Sequence, residues 1–514
     1  MNQKPAVSLK IFYGVVSGTG RMIVSIIVAF IQVRLILNFF PKDLAGIWFL
    51  FLSIAFYISF FDLGISPTIT REISFALGKQ NLEEELRHKE IADLIATCLR
   101  IFQILAFVVF ILSFVFGGLF LWQVAPSGTN KEIIMAWFLF SFGASVNLLG
   151  GAGFAALYGF GDVAVERIIR SITPLLGLSL SAISLNVGLG IKGLAIAWVV
   201  QGLVERSIGW IAFYKLHPVF KCIRGKASIA IARKIAIPSL KWAAIGLGAI
   251  LILQTDNIII ATMIGPSFIP PYEAAVKIVT TLATLSLLIV NSSTPFLSKI
   301  YASGDTHAFE SLLIRNIRYG MTLMITLVAF LAIYGDEVID LWLGPGNFVG
   351  FPVLWTLLVM LTLEVHHVIF ATATMATGRI IFVWVAFIAA AFKIAISVLL
   401  VPHLGLWGTA LGTTIAQMLT NNWYVPYVTL KLLNVSVKQY LISVLSPILV
   451  LLIVMMAFNI VQRHLLNSSL ALGGIVLSFL ISVIVSGIIT IKMIMKKEER
   501  QELFQKLHGR MEYN

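Results

Sequence analysis

The chain has 514 residues, of which 59% are hydrophobic and only 12% are charged. A soluble domain could not cover so much apolar surface, so this composition excludes a soluble globular protein and indicates that the bilayer is the solvent. The formal net charge of +13 does not imply nucleic acid binding, and we expect none, because membrane topology accounts for where the Lys and Arg residues lie.

Long apolar runs recur from one end of the chain to the other. Crossing roughly 30 Å of hydrocarbon takes about 20 apolar residues in a helix. Each run is about twice as long as a barrel strand and does not alternate polar with apolar residues. We therefore predict an all-α integral membrane protein with about fourteen transmembrane helices. The predicted spans are 11–38, 44–67, 93–121, 135–158, 164–186, 193–214, 238–264, 273–297, 317–335, 352–376, 380–401, 406–430, 441–461 and 471–492.

The distribution of positive charge orients these helices. If the N-terminus is cytoplasmic, the loops on the opposite side contain only Lys42, Lys131, Lys192 and Arg463 among the Lys and Arg residues. Basic loops favour the cytoplasm, so we predict a multi-pass protein with both termini cytoplasmic, as an even number of spans requires. The first 40 residues lack the pattern of a cleaved signal peptide, so we expect the first helix to be retained.

An internal repeat organises the chain. The segment "GIKGLAIAWVVQGL" (190–203) aligns with "GLWGTALGTTIAQM" (405–418), so that Gly193 matches Gly408. Two six-helix copies have the same orientation, which predicts two lobes related by a pseudo-twofold axis along the membrane normal. The predicted domains are an N-lobe (1–214), a basic cytoplasmic linker (215–237), a C-lobe (238–430), two further C-terminal helices (441–492) and a basic cytoplasmic tail (493–514).

Several charged residues lie inside the apolar runs. Such a residue costs roughly 2.5–3.5 kcal/mol at the bilayer centre, so it normally faces a cavity or a partner. Arg21, Asp256, Glu364 and Lys393 lie far from helix ends, and we expect them to face a cavity. Lys277 lies at the outer end of its helix, where interfacial anchoring is an equally good explanation.

Two sets of residues suggest gating or coupling. Glu364 and His367 are three residues apart on one helical face, and they form either a proton-exchanging pair or a static polar contact. A metal site lacks further ligands at suitable spacing. Aligning 31–37 with 253–259 places Arg34 opposite Asp256, which suggests an outer ion pair between lobes as a hypothesis.

Three stretches carry a resemblance to a known family. They are "AGIWFLFLSIAFYISFFDLGISPTITREIS" near the second helix, "LILQTDNIIIATMIGPSFIPPYEAAVKIV" around the seventh, and "NSSTPFLSKIYASGD" after the eighth. Together they resemble polysaccharide transporters of the O-antigen flippase (Wzx) type, which belong to the multidrug/oligosaccharidyl-lipid/polysaccharide (MOP) superfamily. The resemblance covers about residues 10–490 and includes a MATE-like fold.

This resemblance implies a flippase of the bacterial cytoplasmic (inner) membrane, not an enzyme. It implies that an undecaprenyl-diphosphate-linked oligosaccharide, such as an O-antigen repeat unit, moves from the inner to the outer leaflet by alternating access. No cofactor is expected, although proton or sodium coupling is compatible with the superfamily. Besides the substrate and membrane lipids, a polysaccharide polymerase and a chain-length regulator are candidate partners, and we expect a monomer. The candidate cavity cations are Arg21, Arg34, Lys277 and Lys393, and the candidate gate or coupling groups are Asp256, Glu364 and His367.

Other functions remain as alternatives. A lipid II flippase of the same fold is hard to distinguish from sequence, whereas a MATE-type drug/cation antiporter would favour acidic residues in an aromatic cavity. A membrane-embedded polymerase or ligase would need a substantial outer loop with acid, base or Arg groups, but the predicted outer loops are short. A purely structural protein leaves the deep charges without an explanation.

Overall fold

A computed structural model describes residues 4–79, 83–379, 381–433, 435–466 and 472–507. These residues form α-helices joined by short turns, with brief 3₁₀ and π segments, and they contain no β-strand. The all-α prediction is therefore confirmed. The chain divides into two compact units, residues 1–270 and 271–514.

The first unit contains eleven helices in its described part. They are α1 (Lys4–Phe39), α2 (Lys42–Ser59), α3 (Ile65–Gly78), α4 (Glu84–Leu112), α5 (Gly118–Val124), α6 (Asn130–Leu149), α7 (Gly151–Gly159), α8 (Val163–Asn186), α9 (Gly190–Leu216), α10 (Ile229–Leu253) and α11 (Asp256–Met263).

The second unit begins within the first turn of α12, which starts just before the boundary at residue 271. Its helices are α12 (Ile269–Ala302), α13 (Thr306–Leu343), α14 (Phe351–Ala376), α15 (Val383–Leu404), α16 (Leu406–Leu419), α17 (Asn421–Leu432), α18 (Val437–Tyr440), α19 (Ser446–Leu466), α20 (Leu472–Ile489) and α21 (Lys497–Leu507).

Thirteen segments of the described chain are long and apolar enough to cross a membrane. They match the predicted spans except for 406–430, where the chain forms two helices, α16 with 14 residues and α17 with 12. Each is too short to cross roughly 30 Å of hydrocarbon alone. The break lies at Thr420, whose φ and ψ of −126° and −88° are not helical.

A similar local sequence, a Thr followed by an acidic or amide residue, also breaks the seventh predicted span. Thr255 precedes Asp256 at the start of α11, as Thr420 precedes Asn421 at the start of α17. Each Thr hydroxyl donates to the carbonyl four residues back, at 2.6 Å for Thr255 and 2.7 Å for Thr420. Such back-bonding bends helices, and Asp and Asn are favourable at the start of a new one. A Thr followed by an acidic or amide residue therefore ends one helix and begins another.

Helices α10 and α11 pack within the first unit. The Ser239 hydroxyl donates to Thr68 Oγ1 at 3.1 Å, and Tyr57 Oη lies 2.7 Å from Thr255 Oγ1. These contacts fix the seventh span to α2 and α3. The predicted repeat instead assigns this span to the C-lobe. Because contacts within a unit do not test repeat symmetry, the lobe boundaries stay a prediction.

The two long C-terminal helices pack against α13 within the second unit. Arg463 of α19 pairs with Asp336 at 2.9 Å and with Glu337 at 3.1 Å, and the hydroxyls of Thr326 on α13 and Ser486 on α20 form a hydrogen bond at 2.5 Å. These contacts are buried or half-buried, so α19 and α20 form an integral layer of the unit.

Candidate functional site

Five charged side chains from three helices meet inside the first unit. Arg21 lies on α1, Glu166 and Arg170 on α8, and Glu205 and Arg206 on α9. We call this group the arginine–glutamate cluster. All five residues belong to membrane-spanning segments, where an unpaired charge is costly, so their mutual pairing is what makes the group stable there.

The two glutamates connect the three arginines into one network. Glu166 Oε1 lies 3.0 Å from Arg170 Nε and 3.6 Å from Arg21 Nη1. Glu205 Oε1 lies 3.7 Å from Arg170 Nε and 3.4 Å from Arg206 Nη1. Glu166 is only 4% exposed, so Arg170 bridges two carboxylates at the centre of the group.

Local sequence and helix packing build this geometry. Glu166 and Arg170 are four residues apart, which places them on one face of α8. Close packing of α8 against α9 brings in the second glutamate, because the Thr173 hydroxyl donates to Glu205 Oε2 at 2.8 Å. One turn further along α8, an added Cβ at Gly177 would lie 1.8 Å from Gln201 Oε1, so the glycine leaves room for this side chain between the helices.

An aromatic ring supports two of the arginines. The guanidinium carbons of Arg170 and Arg206 lie 4.5 Å and 5.3 Å from the centroid of the Phe154 ring. Cations over an aromatic face are attracted by its quadrupole. The aliphatic part of Arg206 lies over Gly150, where an added Cβ would be 1.9 Å from Arg206 Cδ. Both guanidinium groups are thereby held in place although they repel each other.

The cluster has hydrogen-bonding capacity that the protein does not use. Arg206 Nε is buried and makes no hydrogen bond to any described residue. A buried donor without a partner is costly, and a guanidinium fork suits the oxygens of a phosphate. Three arginines against two glutamates leave one excess positive charge, so the group is suited to an anion that enters from outside.

Two further charged residues of the first unit bond to neighbouring polar groups. Asp62 accepts hydrogen bonds from the Ser66 hydroxyl at 2.8 Å and from its backbone N–H at 3.3 Å. Arg167 Nη2 lies 3.4 Å from Tyr158 Oη.

The structure separates the predicted N-terminal site residues. Arg21 belongs to the cluster, whereas Arg34 is exposed on α1, about 20 Å further along the helix. Asp256 is 9% exposed in the first turn of α11, where a carboxylate interacts favourably with the helix dipole. Beside it, Asn257 Nδ2 donates to Ser53 Oγ at 2.7 Å. This placement gives Asp256 a structural role in starting α11, alongside the predicted gate or coupling role.

The predicted residues of the second unit lie on three helices. His367 Nδ1 is 3.4 Å from Glu364 Oε2 on α14, so these two residues do form a pair on one helical face. Lys277 is half-buried on α12. Lys393 is 0% exposed on α15, where it lies one turn from the equally buried Ser397, so a bulky substrate cannot reach it in this conformation.

His366 faces a different partner from its neighbour. Its Nε2 lies 2.6 Å from the hydroxyl of Tyr440 at the end of α18. Burial raises the pKa of Tyr440, so the phenol stays protonated and can donate to the histidine ring. This contact ties α14 to the start of the thirteenth span and keeps His366 apart from the Glu364–His367 pair.

Sequence reasoning missed Glu166, Arg170 and Phe154. The segment "VERIIRSI" contained a usable signal, because a Glu and an Arg four residues apart in an apolar helix are placed to pair. No sequence signal indicated that Phe154 would lie beneath two arginines from other helices.

Two comparisons with known sequences connect the chain with polysaccharide biosynthesis and with a membrane protein. A family model described as a polysaccharide biosynthesis protein matches residues 135–346. The curated relative "Uncharacterized membrane protein EpsK" of Bacillus subtilis (strain 168) is 21% identical over 299 residues, which make up 55% of this chain and 56% of the relative. The match therefore spans little more than half of that relative.

Comparison with solved structures identifies the fold. The lipid II flippase MurJ in an inward closed conformation has a TM-score of 0.66 and 15% identity, with 98% of this chain and 99% of MurJ covered. A multidrug resistance MATE family transporter of the MOP superfamily, in an inward-facing conformation, has a TM-score of 0.65 and 16% identity, with 79% of this chain and 95% of the transporter covered. The protein is thus a polytopic membrane protein that shares the fold of these two solved structures.

Within this class, the matched family model and the shared fold confirm the predicted resemblance to polysaccharide transporters. The similarity to MurJ covers nearly the whole chain, whereas the similarity to the MATE transporter covers about four fifths of it.

The buried position of Glu166 predicts a large effect on stability. Glu166→Gln removes the carboxylate shared by Arg21 and Arg170, and we expect the free energy of unfolding to fall by about 3 kcal/mol. Thermal or denaturant unfolding of the purified protein in detergent measures this change. The control is Glu90→Gln, which removes the half-buried partner of Lys79 near the helix surface and should cost less than about 1 kcal/mol. Equal losses in both variants would contradict the central role of Glu166.

Proposed function

We propose that this protein transports an undecaprenyl-diphosphate-linked oligosaccharide from the inner to the outer leaflet of the bacterial cytoplasmic membrane by alternating access. The observation that carries the proposal is the arginine–glutamate cluster, with its excess positive charge and the unpartnered Nε of Arg206. A diphosphate that leaves water needs such donors to replace its hydration. The MOP fold and the polysaccharide biosynthesis match support a transporter that acts on a glycan.

We propose a different role for each residue of the cluster. Arg206 and Arg21 would accept the diphosphate, because one has an unused donor and the other has a side chain that is 39% exposed. Glu166 and Glu205 would hold the arginines apart and in place while the site is empty. The Phe154 ring would hold the guanidinium groups of Arg170 and Arg206 against its face. The oligosaccharide would follow the diphosphate through the protein, and the polyprenyl chain would remain in lipid.

The other predicted site residues keep supporting roles in this proposal. Arg34 and Lys277 are accessible enough to contact an anion during its passage, whereas the burial of Lys393 requires a conformational change before it can do so. Asp256, in the first turn of α11, would take part in gating. The Glu364–His367 pair would take up and release the coupling proton. A sodium gradient is the alternative driving force.

A related substrate is the main competing proposal. MurJ, a lipid II flippase, matches nearly the whole chain in fold, and lipid II also contains a diphosphate, so the cluster suits either molecule. A cation antiporter is less compatible, because arginines outnumber glutamates in the cluster and a cationic drug would be repelled. We propose the inner membrane as the location, a monomer as the working unit, and a polymerase with its chain-length regulator as downstream partners.

Arg206 provides the direct mutational test of the substrate site. Arg206→Gln should reduce surface glycan export in a deletion strain by about tenfold or more, since hydrogen bonds to a charged group are worth about 1.5–3 kcal/mol. Arg206→Lys should give an intermediate loss because it keeps the charge and loses the fork. Export is measured together with the accumulation of lipid-linked repeat units on the inner leaflet.

The matched control for this test is Arg100→Gln on α4, where the arginine is exposed and its Nη1 donates to Gln103 at 3.3 Å. This variant should export normally. Normal export by Arg206→Gln at normal protein levels would contradict the proposed role of the cluster.

The Glu364–His367 pair predicts non-additive effects on transport. If the two residues exchange one proton as a unit, Glu364→Gln, His367→Gln and the double variant should lose export to about the same degree. A static polar contact instead predicts that the double variant recovers, because no charged partner is left alone. Export rates of the three variants, normalised to protein level, distinguish these outcomes.

A further inference from the structure

The segment that joins α9 to α10 lies along one face of α4. Residues 223–228 form no helix or turn, Ser228 has extended backbone angles, and three α4 side chains contact the backbone of this segment. Lys89 Nζ donates to the Arg224 carbonyl at 2.6 Å, Asp93 Oδ1 accepts from the Lys226 N–H at 2.6 Å, and Thr97 Oγ1 accepts from the Ser228 N–H at 3.0 Å. We call residues 224–228 the strap.

The spacing of these contacts follows from the geometry of a helix and an extended chain. The three α4 residues are four apart, which is about 6 Å along a helix. The three strap residues are two apart, which is about 6.6 Å in an extended chain. Because the two rises nearly match and both segments run in the same direction, each helical turn can hold one backbone group of the strap.

The approach of the strap to α4 requires a glycine. A Cβ at Gly225 would lie 2.0 Å from the Ala92 carbonyl oxygen, which is far closer than any real contact. Arg224 and Lys226 are exposed, so α4 contacts the backbone of the strap while these basic side chains remain in solvent. The contacts with α4 therefore do not depend on the positive charges of the strap.

The strap continues into contacts that hold the start of α10. Ser228 is the residue before the first turn of α10, so the Thr97 contact fixes where that helix begins. Further along, Lys234 Nζ pairs with Glu72 Oε2 at 2.7 Å, and Ser239 donates to Thr68. A continuous row of contacts thus runs from Arg224 to Ser239 along α4 and then α3.

We propose that the strap is a permanent attachment, which keeps the first part of α10 bound to α3 and α4 throughout the transport cycle. The covalent connection between the two repeats then acts as a fixed arm of the first unit, and the flexibility that conformational change needs lies beyond it. This inference does not depend on which substrate the protein carries.

Backbone amide exchange tests the attachment directly. In the purified full-length protein, the amides of Lys226 and Ser228 should be protected from hydrogen–deuterium exchange. Asp93→Leu removes the acceptor of Lys226 and should accelerate its exchange about tenfold or more, the ratio expected for losing one hydrogen bond to a charged group. Asp93→Asn keeps an acceptor and should cause a smaller increase. Wild-type amides that exchange as fast as an unstructured peptide would overturn the proposal.

A second variant separates the strap from the chemistry of Asp93. Gly225→Val leaves every α4 side chain unchanged but forces the strap away from Ala92, so exchange should rise at both Lys226 and Ser228. Unchanged exchange at both amides would show that the close approach is not maintained in solution, and it would also overturn the proposal.

A reversible disulfide tests whether the attachment is permanent. In a protein with Cys98→Ala and Cys222→Ser, the pair Thr97→Cys and Ser228→Cys should cross-link on oxidation. Glycan export should then be the same in oxidised and reduced cells. Loss of export on oxidation that is restored by a reductant would show that the strap must open, which contradicts a permanent attachment. Because amide exchange needs no substrate, failure of the proposed function would leave the exchange results interpretable.

Discussion

The cost of placing charge in hydrocarbon governs the structure described here. The central ion pair of the first unit, between Glu166 and Arg170, would not be tolerated in a bilayer unless each partner neutralised the other. Arg21 and Glu205 extend the same pairing to α1 and α9. The cluster therefore fixes the mutual positions of three spanning helices, and an anion that enters it must compete with the glutamates already present.

The two helix hairpins that the predicted repeat aligns, α8–α9 and α15–α16, both pack closely at a glycine but differ in their charges. In the first unit, Gly177 admits Gln201 between α8 and α9, and in the second, Gly412 admits Ser397 between α15 and α16, with an added Cβ only 2.1 Å from Ser397 Oγ. The first hairpin contains paired ions, whereas the second contains the buried Lys393. Both hairpins therefore pack closely at a glycine, which lies on the first helix of α8–α9 and on the second helix of α15–α16, while their buried polar residues differ.

Much of the fold could be predicted from sequence because the bilayer imposes simple requirements. Span length, helical class and the i, i+3 pairing of Glu364 with His367 follow from local spacing alone. The cluster could not be predicted in the same way, because Arg21 and Glu166 are far apart in the chain and meet only through the packing of α1 on α8. The interruption at Thr420 was also missed, since neither Pro nor Gly lies within five residues of it and a hydroxyl bends the helix instead.

The most direct measurement of the central claim is transport in reconstituted vesicles. Purified wild-type and Arg206→Gln proteins are placed in liposomes with a fluorescent undecaprenyl-diphosphate oligosaccharide, and a membrane-impermeant quencher reports the fraction in each leaflet. We predict rapid redistribution with the wild-type protein and at least roughly tenfold slower redistribution with the variant. Equal rates for both proteins, or no movement of the diphosphate lipid with the wild-type protein, would contradict the account.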